Sequence, residues 1–227
     1  MLTKIFTDSE CKHGFTLAEV LITLVIVGIV AAMTIPTMVN NTNKEELRTG
    51  LLKGQSSLAN ALQLYYSRTG SKIIPSELEP RTLFDKIKPY FSVAVSCGWQ
   101  DCVPANKNYY RNFNNSGYMN PVKLDDGQLI LNNGMTVFIE NPNITISNIY
   151  MAIDVNGYEK KPNKLGHDLF FFQLNDEGNL VPMGAEGTDY YSATNEYCST
   201  TSSSQDNGMG CTVKALSDAD YFKKLPK

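Results

Sequence analysis

Between Phe15 and Val39 the chain runs for 25 residues with a single charged side chain, Glu19. As a helix such a run is about 37 Å long at roughly 1.5 Å per residue, against a hydrocarbon core of about 30 Å. It predicts a membrane-spanning helix, and everything else that folds must come after it. A carboxylate placed in hydrocarbon costs several kcal/mol and by default marks a function with a partner to be named. No Lys or Arg lies within the run to pair with it. A secretory signal would have a shorter apolar core ending at small residues, which "IVAAM" imitates. Here the core is long, and a helical pattern resumes beyond it. A cut between Gly14 and Phe15 would instead leave the apolar segment attached. It would also create an α-amino group one helical turn from Glu19, on the same chain or on an adjacent copy.

The stretch "GFTLAEVLITLVIVGIVAAMTIP" resembles the N-terminal motif of type IV prepilins and type II secretion pseudopilins, with Gly, Phe, Thr, Leu, the acid and the apolar run all in order. The resemblance implies cleavage after Gly14 by a prepilin peptidase on the cytoplasmic side and N-methylation of Phe15. It also implies that Glu19 pairs with the N-terminus of a neighbouring subunit during assembly. The leader would be residues 1–14, with Lys4 and Lys12 offset by Asp8 and Glu10 to a formal charge of zero. Topology follows Lys and Arg more than acids, so the expected orientation is retained; His13 reads as a polar spacer. Gly28 and Ala32, four apart, offer a small-residue face for close helix packing, although small residues are also ordinary in membrane helices. Pro36 removes a backbone donor and is expected to kink or loosen the helix. The resemblance further implies local unwinding from Gly28 to Pro36 on assembly.

Beyond the apolar run, Leu47, Leu51, Leu58, Leu62 and Tyr65 recur at helical spacing, predicting an amphipathic helix over 40–70 that stops at Gly70. Gly50 and Gly54 should weaken it by up to about 1 kcal/mol each. Its apolar stripe needs a cover, expected to be a small antiparallel sheet over 128–182. "GQLILNNGMTVFIEN" reads as two strands about Asn133-Gly134, "NIYMAIDVNG" and "DLFFFQLNDEGNLVPMG" as further strands, with Glu177-Gly178 in a turn. Residues 71–127, with five prolines, read as a variable loop region holding one short helix in "PRTLFDKIKPYF". Residues 183–227 read as a C-terminal loop. The predicted class is α+β and pilin-like: a leader (1–14), a transmembrane or filament-core helix (15–39), its amphipathic continuation (40–70) and a globular head (71–227).

Cys11 precedes the apolar run and Cys97, Cys102, Cys198 and Cys211 follow it. Crossing a membrane would leave Cys11 in a reducing space and put the other four in an oxidising one. Four cysteines allow three pairings; the simplest joins neighbours, Cys97 with Cys102 and Cys198 with Cys211. The spacing of the second pair does not suit a zinc knuckle. With only His13 and His167, most histidine-based metal and nucleophile chemistries are set aside. His167 lacks a recognisable partner and reads as a surface loop residue, Asp125-Asp126-Gly127 as a turn, and no phosphate-binding glycine loop occurs. The chain is therefore not expected to be an enzyme.

The segment "DVNGYEKKPNKLGHDLFFFQL" resembles a C-terminal motif of pilin-like proteins. Asp154, Asn156 and Asp168 could fix its turn by Asx hydrogen bonds, the preferred reading, or hold calcium, as major pseudopilins can near that end. No other cofactor is expected. Tyr109, Tyr110, Tyr190 and Tyr191 could form a sticky surface or simply pack. The expected function is a structural subunit of a type IV pilus-like or type II secretion pseudopilus filament. Its expected partners are copies of itself, other pilin-like subunits, prepilin peptidase and an inner-membrane assembly platform. The subunit would cross the bacterial inner membrane once, head outside the cytoplasm, before joining the filament. The alternative is a minor pilin acting as a membrane-anchored binding module for DNA or a surface ligand. A net charge of -3 gives no general pull toward nucleic acid, and none is predicted as a partner.

Overall fold

The computed structural model describes residues 14–142 and 149–226, with the side chains of 36–42 left aside. The leader residues Lys4, Asp8, Glu10, Cys11, Lys12 and His13 lie outside the described residues. Helix α1 spans Leu17–Thr69. The chain divides into two compact units between Thr42 and Asn43.

In the first unit, Leu17–Ile35 has a mean hydropathy of 2.5 and is long and apolar enough to cross a membrane. Its large apolar side chains, from Leu17 to Ile35, are exposed all round the helix. A helix that is apolar on every side needs lipid or other helices around it. Pro36 lies within α1 and lacks the amide that would bond the Ala32 carbonyl; its side chain lies outside the described residues.

The second unit is built on an antiparallel sheet of six strands in sequence order: β1 (Val93–Ser96), β2 (Gln128–Leu131), β3 (Thr136–Glu140), β4 (Ile149–Asp154), β5 (Leu169–Leu174) and β6 (Leu180–Pro182). On one face, Leu51 and Leu58 of α1 join Val137, Ile139, Met151, Ile153, Phe170 and Phe172 in one core. The two glycines expected to weaken the helix allow this approach. A Cβ on Gly50 would come 3.0 Å from Val155, and one on Gly54 would come 3.0 Å from Ile153. Gly70 ends α1 with φ +76°, its amide donating to the Tyr66 carbonyl at 2.8 Å.

The other face is buried as well. Every residue of β3, β4 and β5 is buried. The second cover comes from irregular chain: Val103, Tyr110, Met119, Leu124, Leu165, Met183 and Met209 pack on Phe138, Ala152 and Phe171. Both segments read from sequence as loops therefore belong to the core. The first also holds strand β1 and helix α2 (Leu83–Ile87). The second holds helix α3 (Thr212–Ser217), with Ala215, Tyr221 and Phe222 buried. The β2–β3 connection is wider than a two-residue turn: the Leu131 amide donates to the Met135 carbonyl at 2.9 Å, with Gly134 at φ +85°. Disulfides join Cys97 to Cys102 and Cys198 to Cys211, neighbour to neighbour. The result is the α+β, pilin-like architecture that the sequence implied.

Leu58 is 0 % exposed and Leu64, on the same helix, 47 %. Leu58→Ala should cost about 2–5 kcal/mol. Leu64→Ala should stay within about 0.5 kcal/mol. Guanidinium unfolding followed by the fluorescence of Trp99, the single tryptophan, measures both.

Candidate processing and assembly site

In the head, Asp154 and Asp168 are fully buried. Asp154 Oδ1 accepts the amides of Asn156 (3.2 Å) and Gly157 (2.8 Å), and its Oδ2 accepts the Tyr110 hydroxyl at 2.7 Å. Asp168 accepts the amides of Asn163 (2.6 Å) and Lys164 (2.7 Å). Asn156 donates its side-chain amide to the Lys161 carbonyl at 3.0 Å, while its Oδ1 is buried without a hydrogen-bond partner. Asp154 Oδ1 and both Asp168 oxygens thus serve the turn's own backbone, as Asx turns do. Burial, then the charge of Asp168, pushes the Asp154 carboxyl up. Burial pushes Asp168 up to about 7 against several backbone donors.

His167 is not at the surface. It is 5 % exposed, with Nε2 3.0 Å from the Phe113 carbonyl and its ring against the Phe113 ring. A Lys-Leu-Gly-His-Asp run looks solvated in sequence, whereas Phe113 packs on this ring and the Tyr221 hydroxyl donates to the neighbouring Gly166 carbonyl. Of the four tyrosines, Tyr110 is buried, Tyr109 and Tyr190 are half-buried and Tyr191 is exposed. They form no single surface. Asp125 and Asp126 are also more than a turn: with Glu140 their carboxylate oxygens lie within 4.8 Å of one another. Only strand register could have shown that, since the Gly127 carbonyl accepts from Ile139 across the hairpin.

At the N-terminus, Gly14 and Phe15 lie outside regular structure and are exposed, Phe15 at 87 %. Thr16 caps α1. Its hydroxyl accepts the Glu19 amide at 3.2 Å, while Glu19 Oε2 accepts both the Thr16 amide and the Thr16 hydroxyl at 2.8 Å. With Leu17 as the first helical residue, Thr-Leu-Ala-Glu is a reciprocal capping box that satisfies two otherwise unpaired donors. The Thr-x-x-Glu spacing before an apolar run is the sequence signal for it. Every atom of this box survives a cut after Gly14, because the Phe15–Thr16 peptide stays intact. Thr23 and Thr34 turn their hydroxyls onto the carbonyls of Val20 and Val30, each at 2.9 Å, as a helix in hydrocarbon requires. A Cβ on Gly28 would meet no atom within 4 Å, so the small face of Gly28 and Ala32 is open in the single chain.

Residues 11–35 match the family model of the prokaryotic N-terminal methylation motif. The chain carries that motif. No curated protein and no solved structure matches the chain. The methylation motif covers the Gly14–Phe15 bond, the Thr16–Glu19 cap and the exposed apolar helix, and ends before the head.

Thr16→Ala should lose about 0.5–2 kcal/mol of cap stability. Faster amide exchange at Leu17 to Glu19 in micelles, with exchange near Gly28 unchanged, would register that loss. His167 gives a second expectation. Burial, then the Lys164 charge, hold its ring down to about 4, below the model-peptide value of 6.5. A lowered pKa contributes stability that is present above pH 6.5 and is lost as pH falls from 6.5 toward 4. In a chain cut after Gly14 it is the only histidine, so its ring NMR signals should titrate near 4 and not near 6.5.

Proposed function

We propose that the chain is a structural subunit of a type IV pilus-like or type II secretion pseudopilus filament, matured by prepilin peptidase. The observation that carries this reading is the methylation motif on a helix whose apolar side chains are exposed all round. Such a helix is stable in a bilayer as a single span and equally stable among copies of itself. A protein built to move between those two surroundings needs that property. The one charge it carries is placed where copies can use it. The cap engages only Oε2 of Glu19, leaving Oε1 to accept the methylated amine of a neighbouring Phe15. Pairing of that kind offsets the cost of a carboxylate in an apolar packing.

Before assembly the head would sit outside the cytoplasm, where Cys97–Cys102 and Cys198–Cys211 can form. A second reading, a membrane-anchored binding module, draws on two exposed aromatic side chains stacked by cations. The Arg81 guanidinium lies 5.1 Å from the Trp99 ring, and that of Arg111 lies 4.4 Å from the Tyr118 ring.

Intact mass and N-terminal peptide mapping of the membrane protein should show a chain beginning at methylated Phe15. A chain that still begins at Met1 would sink the proposal. Glu19→Ala should be cut and methylated normally yet fail to crosslink to neighbouring subunits. Full crosslinking by that variant would favour the binding module instead.

A further inference from the structure

Five inward-facing polar side chains of the sheet and its hairpin are each tied to chain that covers them. Gln128 bonds the Val103 amide and the carbonyls of Val103 and Leu124, all within 2.9 Å. Thr136 accepts the Tyr158 amide, Asp154 accepts the Tyr110 hydroxyl, and Gln173 accepts the Asp189 amide. Asp126 accepts the Asn141 amide at 3.0 Å and pairs with Arg81 at 3.1 Å. Glu140 breaks the pattern. It is 7 % exposed, and its Oε2 is buried with no hydrogen-bond partner. A buried carboxylate oxygen left unpaired is expensive and calls for an explanation.

The geometry around that carboxylate supplies one. Carboxylate oxygens of Asp125, Asp126 and Glu140 all lie within 4.8 Å of one another, twice a calcium–oxygen bond of about 2.4 Å. We propose that Asp125, Asp126 and Glu140 hold a calcium ion in the head. The three carboxylates bring three negative charges, and the nearby cations make other contacts as well. Arg81 reaches Asp126 from a half-exposed position, and the Lys123 ammonium lies over the rings of Tyr150 and Tyr190. Asp125 is partly exposed, so water can complete the six to eight oxygens calcium takes. A carboxylate oxygen already bonded once retains a lone pair for the metal. The bound ion would clamp the residues just before β2 to the end of β3, beside the Arg81–Leu83 segment. The Asn141 side chain already reaches that segment, accepting the amides of Thr82 and Leu83 at 3.0 and 3.1 Å.

The test uses the full-length chain in detergent, stripped with a chelator and titrated with Tb3+ as a calcium surrogate while Trp99 is excited. Trp99 lies under Arg81, which touches Asp126, so its energy transfer reports on this site. Saturable emission at about one equivalent, displaced by Ca2+, is expected. Glu140→Gln and Asp125→Asn should each weaken affinity about tenfold or more, since even supporting residues change metal affinity on that scale. Asp176→Asn, in an exposed turn elsewhere, should leave it unchanged. Absence of saturable emission, or equal affinity in both site variants, overturns the proposal. If Glu140→Gln does not fold, the partly exposed Asp125→Asn decides.

Discussion

Strands β3, β4 and β5 have no solvent-facing side, so helix α1 on one face has to be matched by a second cover on the other. Among the described residues no second helix of useful length supplies it; α2 and α3 are short. The cover is irregular chain from both flanks of the sheet, and irregular chain cannot satisfy its own backbone groups as a helix does. The polar side chains on that sheet face do so instead. The Gln128 side chain spans Val103 and Leu124, and Gln173 receives the Asp189 amide. Each such bond is modest taken singly, about 0.5–1.5 kcal/mol net. Their positions fix which residue of each loop lies over which strand, and this lets an aperiodic layer pack as a core.

The regular cover follows the opposite logic. Leu51, Leu58 and the close approaches at Gly50 and Gly54 join α1 to the sheet through apolar contact and small size alone. The same helix, further toward its N-terminus, presents apolar side chains with no chain of its own to cover them. A single helical element therefore has two different surroundings: one stretch is covered within the head, and the other is uncovered among the described residues. Glu19 belongs to this second region. Its bonds to Thr16 show that a carboxylate near the start of an apolar helix has local work, since orphan amides at a helix N-terminus need acceptors and its dipole favours negative charge.

Periodicity made one face of this protein legible and hid the other. Leu47 to Tyr65 at helical spacing and the alternation in "TVFIE" and "IYMAID" predict a helix over a sheet, and both are present. The same alternation puts Thr136, Glu140, Tyr150 and Asp154 on the far face, which ordinarily means solvent. Their burial depends on Tyr110, Met183, Met209 and other residues that recur with no period, in segments rich in proline, serine and asparagine. Such contacts are set by tertiary packing alone. The N-terminal site was legible because its chemistry is local: Gly14, Phe15, Thr16 and Glu19 lie within six residues. The Asp126–Glu140 approach was not, because it depends on the width of the β2–β3 connection and the resulting register.

That register also explains why the head concentrates its difficult charges. A one-residue slip of β3 would send Thr136, Phe138 and Glu140 toward α1 and bring Val137 and Ile139 under the loops. Glu140 would then face the apolar core between the sheet and α1. A buried acid on the loop side costs stability, but on the helix side it would cost more. The acid therefore selects against the slipped pairing even where it adds nothing to the correct one. The wide, four-residue connection from Asn132 to Met135 carries little register information of its own compared with a two-residue turn. The charged end of β3 supplies the missing specification, by making the wrong face worse than the right one.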